Sequence, residues 1–94
     1  MRILLAEDEP KVAAFIKQGL EESGYQVLNA FDGLMARRLA QEPDIALVLL
    51  DVVMPGMNGV EVCKAIRADG GRMPILLLTA LGTADDKVAG LDAG

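Results

Sequence analysis

The sequence contains no histidine and a single cysteine. Without histidine the chain has no residue for histidine-based catalysis or a phosphohistidine carrier role, and a zinc site is disfavoured. One cysteine excludes an internal disulfide, and Cys63 lies in the stretch VEVCKAI, where a small buried side chain is expected. No apolar run approaches the ~20 residues that span a bilayer, and the first residues lack a signal-peptide cleavage pattern. We therefore expect a cytoplasmic chain with no membrane contact.

Basic residues are also scarce. The chain has nine Lys and Arg residues and fourteen Asp and Glu residues, which gives a net charge of -5. Binding to nucleic acid needs clustered basic side chains, so this segment is not expected to contact DNA or RNA. The acidic surplus suits a divalent cation or a basic partner instead. The 94 residues, 52% of them hydrophobic, are enough for one small domain with its own core.

Short aliphatic runs alternate with amphipathic stretches four times along the chain. The runs RILLA, YQVLNA, IALVLLD and PILLLTA are predicted strands, with IALVLLD central and YQVLNA at an edge. Helices are predicted after each strand, the first from Pro10 and the last in TADDKVAGLDAG. In the first helix, helical spacing is shown by Val12, Phe15, Ile16 and Leu20. This alternation predicts a parallel sheet with helices on both faces.

Polar residues collect at the ends of three predicted strands. In such sheets ligands bind at the carboxyl ends of the strands, which here are Glu7-Asp8, Asp51 and Thr79-Ala80. If strands one and three are neighbours about 4.8 Å apart, three carboxylates crowd together and either raise a pKa or recruit a cation. Mg²⁺ takes such ligands and keeps positions for phosphate oxygens. Asp51 is then placed as a nucleophile, and Thr79 could offer a hydroxyl to phosphate.

Three motifs in order, AEDEP, DVVMPGMNG and LTA, resemble those of the receiver domain of bacterial response regulators. The resemblance covers the whole chain and is strongest to regulators with a winged-helix DNA-binding domain. It implies one receiver domain over residues 1–94. It also implies a flavodoxin-like, doubly wound parallel sheet in three layers, with strand order 2-1-3-4 and without the last strand–helix unit.

The same resemblance implies a role for each motif residue. Asp51 is expected to accept a phosphoryl group from a phosphohistidine on a partner histidine kinase. Mg²⁺ is expected to be held by Glu7, Asp8, Asp51 and the backbone carbonyl of Val53. A switch role is implied for Thr79 and for Ala80 beside it. Such a protein is a signalling switch that catalyses its own phosphoryl transfer, rather than a turnover enzyme.

The chain departs from the family pattern at its C-terminal end. The lysine that family members carry at the end of the fifth strand has no counterpart, since Lys64 and Lys87 fall in predicted helices. One alternative is therefore a truncated receiver fragment that is inactive in signalling. An edge left on the fourth strand would also expose unpaired backbone groups. We expect homodimer formation through this edge or through exposed helix faces.

Alternatives from other classes are weaker. A small aspartate-nucleophile phosphatase would carry a second aspartate two residues after the nucleophile, where this chain has Val53. A nucleotide-binding domain would carry G-x-G-x-x-G or G-x-x-x-x-G-K-[ST], and neither occurs. The acidic run Glu7 to Glu9 could also serve only as a favourable charge at a helix N-terminus. Asp51 and Thr79 at matching strand ends argue against that simpler interpretation.

Overall fold

The fold is an open sheet flanked by helices, seen in a computed structural model that describes residues 1–52, 54, 57–78 and 88–91. The elements in chain order are β1 (Arg2–Ala6), α1 (Pro10–Glu22), β2 (Gln26–Ala30), α2 (Gly33–Leu39), β3 (Ile45–Asp51), α3 (Gly59–Ala68), β4 (Ile75–Leu78) and β5 (Val88–Leu91). Among these described elements, no helix is both long and apolar enough to cross a membrane.

The sheet has the order β2-β1-β3-β4-β5. The first four strands are parallel to their neighbours, which confirms the predicted order 2-1-3-4, the central place of β3 and the edge position of β2. Ala6 is level with Leu50 in the β1–β3 pair, and Asp51 is level with Leu78 in the β3–β4 pair. This register brings the carboxyl ends of β1, β3 and β4 to one edge of the sheet.

Two apolar layers lie on opposite faces of the sheet. Leu4 and Ala6 point to one face, where they join a cluster with α2 and α3 that includes Ala36 and Val62. Their neighbours in β1, Ile3 and Leu5, point to the other face and pack with residues of α1. Because side chains alternate along a strand, a strand covered on both faces must be apolar at nearly every position. The predicted three-layer arrangement is thus confirmed.

Local capping sets where each helix begins. The Glu9 side chain accepts a hydrogen bond from the Lys11 N–H, and Pro10 occupies the first turn of α1, where a missing N–H costs nothing. Asp32 caps α2 by accepting from the Met35 N–H at 2.7 Å. After α1, Gly24 has φ +96°, a left-handed conformation that favours glycine, and the chain turns there into β2.

The predicted fourth helix is wrong for Val88–Leu91. This segment is β5, and it pairs antiparallel with β4. The expectation of an exposed β4 edge is therefore also wrong, because β5 occupies that edge. Unpaired backbone groups at a sheet edge favour pairing with any available apolar segment, and here the segment comes from the same chain. The rest of the predicted helix, including Thr83 and Lys87, lies outside the described residues.

The buried face of α1 is narrower than the helical spacing predicts. Ala13 is buried, and Ile16 and Leu20 pack against the same cluster, whereas Val12 and Phe15 are 42% and 79% exposed. Residues 13, 16 and 20 form one line of i, i+3, i+7 positions that faces the sheet. Val12 and Phe15 lie beside that line. Their spacing fits a helix, but the sheet does not cover them.

Two leucines make a matched test of this core. Leu4 is fully buried in β1, whereas Leu34 in α2 is 65% exposed. Replacing Leu4 with Ala removes buried methyl groups and leaves a cavity, so we expect Leu4→Ala to lower the free energy of unfolding by about 2–5 kcal/mol. Leu34→Ala should change it by no more than about 0.5 kcal/mol. Urea unfolding followed by circular dichroism measures both, and equal losses would contradict the assigned core.

Candidate functional site

An acidic cluster lies at the carboxyl edge of the sheet. Glu7 and Asp8 follow directly after β1, and Asp51 is the last residue of β3. Because Ala6 is level with Leu50, the next residues along these parallel strands emerge side by side. One carboxylate oxygen from each of the three residues lies within 4.8 Å of the others. The predicted convergence of Glu7, Asp8 and Asp51 is therefore present.

Backbone hydrogen bonds hold both sides of this cluster. The Glu7 N–H donates to the Ala30 carbonyl at 2.9 Å, which ties the end of β1 to the end of β2. The Val52 N–H donates to the Leu78 carbonyl at 2.8 Å, which ties the residue after Asp51 to β4. The carboxylates thus project from a rigid frame, and rigid placement favours coordination and chemistry at a defined point.

Burial and like charge act together on Glu7. Glu7 and Asp51 are each only 6% exposed, whereas Asp8 is exposed. Burial is the largest influence and raises the pKa of Glu7 to about 7; the charge of Asp51, a side-chain hydrogen bond with it and the charge of Asp8 add to the rise. The Glu9 N–H, which donates to Glu7 Oε2 at 3.0 Å, opposes it by favouring the ionised form.

The cluster has the chemistry of a site for a hard divalent cation. Carboxylate oxygens are preferred by Mg²⁺, which binds through one or two of them and retains waters or phosphate oxygens in its other positions. Close approach of three carboxylates is costly without a positive charge, and the charges of Asp51 and Asp8 add to the rise that burial causes in the pKa of Glu7. A cation bound among them would lower that cost and would favour the ionised forms.

The segment after Asp51 returns tightly to the end of its own strand. The Gly59 N–H donates to the Val52 carbonyl at 2.8 Å. A Cβ on Gly59 would lie 2.7 Å from the Asp51 carbonyl oxygen and 2.8 Å from Val52 Cα, which are both backbone atoms. Only glycine allows the start of α3 to sit this close to the acidic residue.

The start of α3 carries a capping box that was not predicted from the sequence. The Asn58 side chain accepts from the Glu61 N–H at 2.9 Å, and the Asn58 N–H donates to Glu61 Oε1 at 3.1 Å. The signal is readable as Asn-x-x-Glu, a variant of the usual capping-box pattern. The box fixes the N-terminus of α3 next to the acidic cluster.

Several predicted site residues lie outside the described residues. These are Val53, whose backbone carbonyl is an expected ligand, and the switch pair Thr79 and Ala80. Leu78, the residue before Thr79, is level with Asp51. The roles of these residues stay predictions.

The order and direction of the first four strands define a flavodoxin-like α/β domain. This domain carries an acidic cluster at the carboxyl edge of its sheet. A family model described as the response regulator receiver domain matches residues 3–94. The chain belongs to the response regulator receiver family.

Curated relatives agree with this assignment. The probable transcriptional regulatory protein SilR of Salmonella typhimurium is 42% identical over 94 residues, which are 100% of this chain and 41% of the relative. The transcriptional regulatory protein CusR of Escherichia coli K12 has the same identity and coverage. PhoP of Bacillus subtilis, a regulator of alkaline phosphatase synthesis, is 41% identical over 99% of this chain and 39% of its own length. The chain spans about two-fifths of the length of these relatives.

Solved structures share the fold. The Francisella response regulator 1452 receiver domain superposes with a TM-score of 0.79 at 32% identity, over 89% of this chain and 69% of that one. Response regulator TrrA of Thermotoga maritima, solved in complex with Mg²⁺-BeF, has a TM-score of 0.79 at 38% identity, over 86% of this chain and 70% of its own. These likenesses confirm the predicted flavodoxin-like architecture of the four parallel strands.

The raised pKa of Glu7 predicts a pH dependence of stability. The folded pKa is about 7 and the ordinary value is 4.5, so the unfolded chain releases the Glu7 proton first as pH rises. The stability linked to this proton is full below about pH 4.5 and is lost by about pH 7. In EDTA we expect wild type to lose stability relative to Glu7→Gln across this window, because glutamine stays neutral. Urea unfolding at several pH values measures the difference.

The matched control is Glu42→Gln, which changes an exposed carboxylate far along the chain from the cluster. It should run parallel to wild type across the same pH range. At saturating Mg²⁺ wild type should instead be more stable to urea than Glu7→Gln, since the cation stabilises the ionised Glu7 of wild type. A Glu7→Gln variant that follows the wild-type pH profile in EDTA would contradict the assigned burial of this carboxyl.

Proposed function

We propose that the chain is the phosphoacceptor receiver module of a two-component signalling system. In this proposal Asp51 takes a phosphoryl group from the phosphohistidine of a partner histidine kinase, with Mg²⁺ in the acidic cluster. The observation that carries the proposal is the approach of Glu7, Asp8 and Asp51 to within 4.8 Å of one another at the end of the central strand. Membership of the receiver family supports it.

The transfer itself requires little covalent machinery from the protein. An oxygen of the ionised Asp51 carboxylate attacks phosphorus, the P–N bond to the kinase imidazole breaks, and the electron pair of that bond leaves with the imidazole. The product is an acyl phosphate on Asp51. Mg²⁺, when bound, neutralises charge on the phosphoryl oxygens. The protein therefore catalyses its own modification mainly by positioning the acceptor.

Each residue of the cluster has a distinct part in this proposal. Asp8 is exposed at the rim and is the direct metal ligand in our assignment, whereas Glu7 is buried and acts largely through water. Asp51 is both ligand and acceptor, because it ends the central strand and is held there through Val52. The carbonyl of Val53 is proposed as a further ligand.

Two residues after β4 complete the proposal. Thr79 follows Leu78, which is level with Asp51, and its hydroxyl would donate to a phosphoryl oxygen. In this proposal Ala80 matches the small residue that receiver domains carry beside the switch hydroxyl. Movement of Thr79 toward the phosphate is the switch that would report phosphorylation to other surfaces.

The wider setting is also part of the proposal. Residues 1–94 form one receiver domain that acts in the cytoplasm, and the named relatives are transcriptional regulators, as the resemblance to the winged-helix subclass predicts. We assign no nucleic-acid contact to this segment, whose net charge is -5. The partner assigned to it is the histidine kinase. Homodimer formation through helix faces stays a prediction.

Phosphorylation of the isolated chain tests the proposal. With Mg²⁺ and acetyl phosphate, intact mass spectrometry should show wild type gaining one phosphoryl group, because the acceptor is preformed. Asp51→Asn should gain none, since an amide oxygen is a poor nucleophile. The control is Asp44→Asn, which alters an exposed aspartate directly before β3 and keeps a residue that tolerates the φ of 68° found there.

The outcomes are distinct. Transfer to wild type and Asp44→Asn, but not to Asp51→Asn, supports the assigned acceptor. Equal transfer to Asp51→Asn would place the acceptor elsewhere. Failure of wild type to react, with its fold intact by circular dichroism, would favour the alternative of a receiver fold without signalling activity.

A further inference from the structure

Gly33, the first residue of α2, is buried and has no backbone reason to be glycine. Among the described glycines, φ is positive at Gly24 and Gly70 and not at Gly33, which is buried. An alanine could therefore adopt the same backbone conformation at this helical position. The need for glycine at Gly33 must come from space.

The space beside Gly33 is filled by the segment that leads into α3. A Cβ on Gly33 would lie 2.7 Å from Met57 Cβ, 3.1 Å from the Met57 carbonyl oxygen and 3.0 Å from Val62 Cγ2. Two of these atoms belong to or are fixed directly on the Met57 backbone, so a rotamer change of Met57 cannot relieve the overlap. Either Met57 or the start of α2 must move.

α2 has little freedom to move away. Asp32 caps its first turn, and Ala36 is completely buried under it. Further along, Arg37 Nε and Nη2 donate to the two carboxylate oxygens of Asp69 at 2.7 and 2.8 Å, which joins α2 to the end of α3. Because a close-packed interior transmits strain, a Cβ on Gly33 would displace Met57 rather than α2.

Met57 is connected to the acidic cluster by a short path. The next residue, Asn58, forms the capping box of α3. Gly59 follows, and its N–H donates to the carbonyl of Val52, the residue directly after Asp51. A displaced Met57 therefore pulls on the hydrogen bond that holds the backbone beside the acceptor.

We propose that Gly33 is a positioning residue for the acidic cluster, and that its missing side chain lets α2 and Met57 meet at the distance that sets the backbone after Asp51. The proposal rests on the proposed function for its consequence, since a misplaced Asp51 segment weakens cation binding and slows phosphorylation. Its structural part stands on the contacts of Gly33 alone.

The test compares Gly33→Ala with Gly19→Ala in the full chain. Gly19 lies within α1 and a Cβ there would meet nothing within 4 Å, so Gly19→Ala should leave the site unchanged and improve helix stability. For Gly33→Ala we expect Mg²⁺ affinity, measured by isothermal titration calorimetry, to fall by about threefold to tenfold as part of the strain of overpacking. The rate of phosphorylation by acetyl phosphate should fall with it.

A second measurement needs neither metal nor phosphate. In ¹H–¹⁵N spectra of the cation-free protein, Gly33→Ala should shift the amide resonances of Val52 and Gly59, which Gly19→Ala should leave in place. If wild type fails to bind Mg²⁺, the proposed function fails. These shifts then still decide whether Gly33 positions the backbone after Asp51. Unshifted Val52 and Gly59 amides, with Mg²⁺ affinity within twofold of wild type, would overturn the proposal and leave Gly33 a purely structural glycine.

Removal of the opposing Cβ provides the rescue. In a Met57→Gly background the closest contact of the new methyl group is gone, so Gly33→Ala should cause a smaller loss of Mg²⁺ affinity than it does in wild type. This pair also covers the case in which Gly33→Ala alone does not fold, because the double variant lacks the shortest of the three contacts. Equal losses in both backgrounds would overturn the assigned contact with Met57.

Discussion

Parallel pairing of β1 with β3 is the constraint on which the site depends. A shift of one residue in this register would turn the side chains of one strand to the opposite face and separate the carboxylates. With Ala6 level with Leu50, Glu7 and Asp51 leave the sheet together in a buried place, where they share a hydrogen bond while Glu7 is protonated and repel each other once both are ionised. Apolar packing on both faces of the sheet supplies the stability that holds this repulsion in check. The arrangement is therefore poised for a cation, whose binding would turn the repulsion into attraction.

Much of the fold and the acidic part of the site could be predicted, because their signals are local. Aliphatic runs separated by amphipathic stretches determine a parallel sheet with covered faces, and strand ends then determine where ligands bind. Glu7, Asp8 and Asp51 follow predicted strands in this way, and the structure brings them together. The cap of α3 was equally readable from Asn58 and Glu61, since a capping box depends on spacing alone.

The remaining features depend on distant partners that local patterns do not encode. Helical spacing identifies an apolar side of α1, but only the sheet decides that Phe15 at its margin stays exposed. Val88–Leu91 pairs as a strand because β4 offers an edge, a fact about another part of the chain. The packing of Gly33 against Met57 shows only in the distance of 2.7 Å that an added Cβ would have from Met57 Cβ. Packing at this scale follows from the whole fold and cannot be recovered from spacing.

One cation shared by the carboxylates at the carboxyl edge is the central proposal for this protein. Mn²⁺ prefers the same oxygen ligands as Mg²⁺ and broadens nearby nuclear magnetic resonances through its unpaired electrons. A titration of the ¹⁵N-labelled chain with substoichiometric Mn²⁺ should broaden the amides of Glu7, Asp8 and Asp51 first, and excess Mg²⁺ should reverse the effect. Broadening centred instead on Asp44 or Asp69, or spread evenly over the acidic residues, would contradict a shared site.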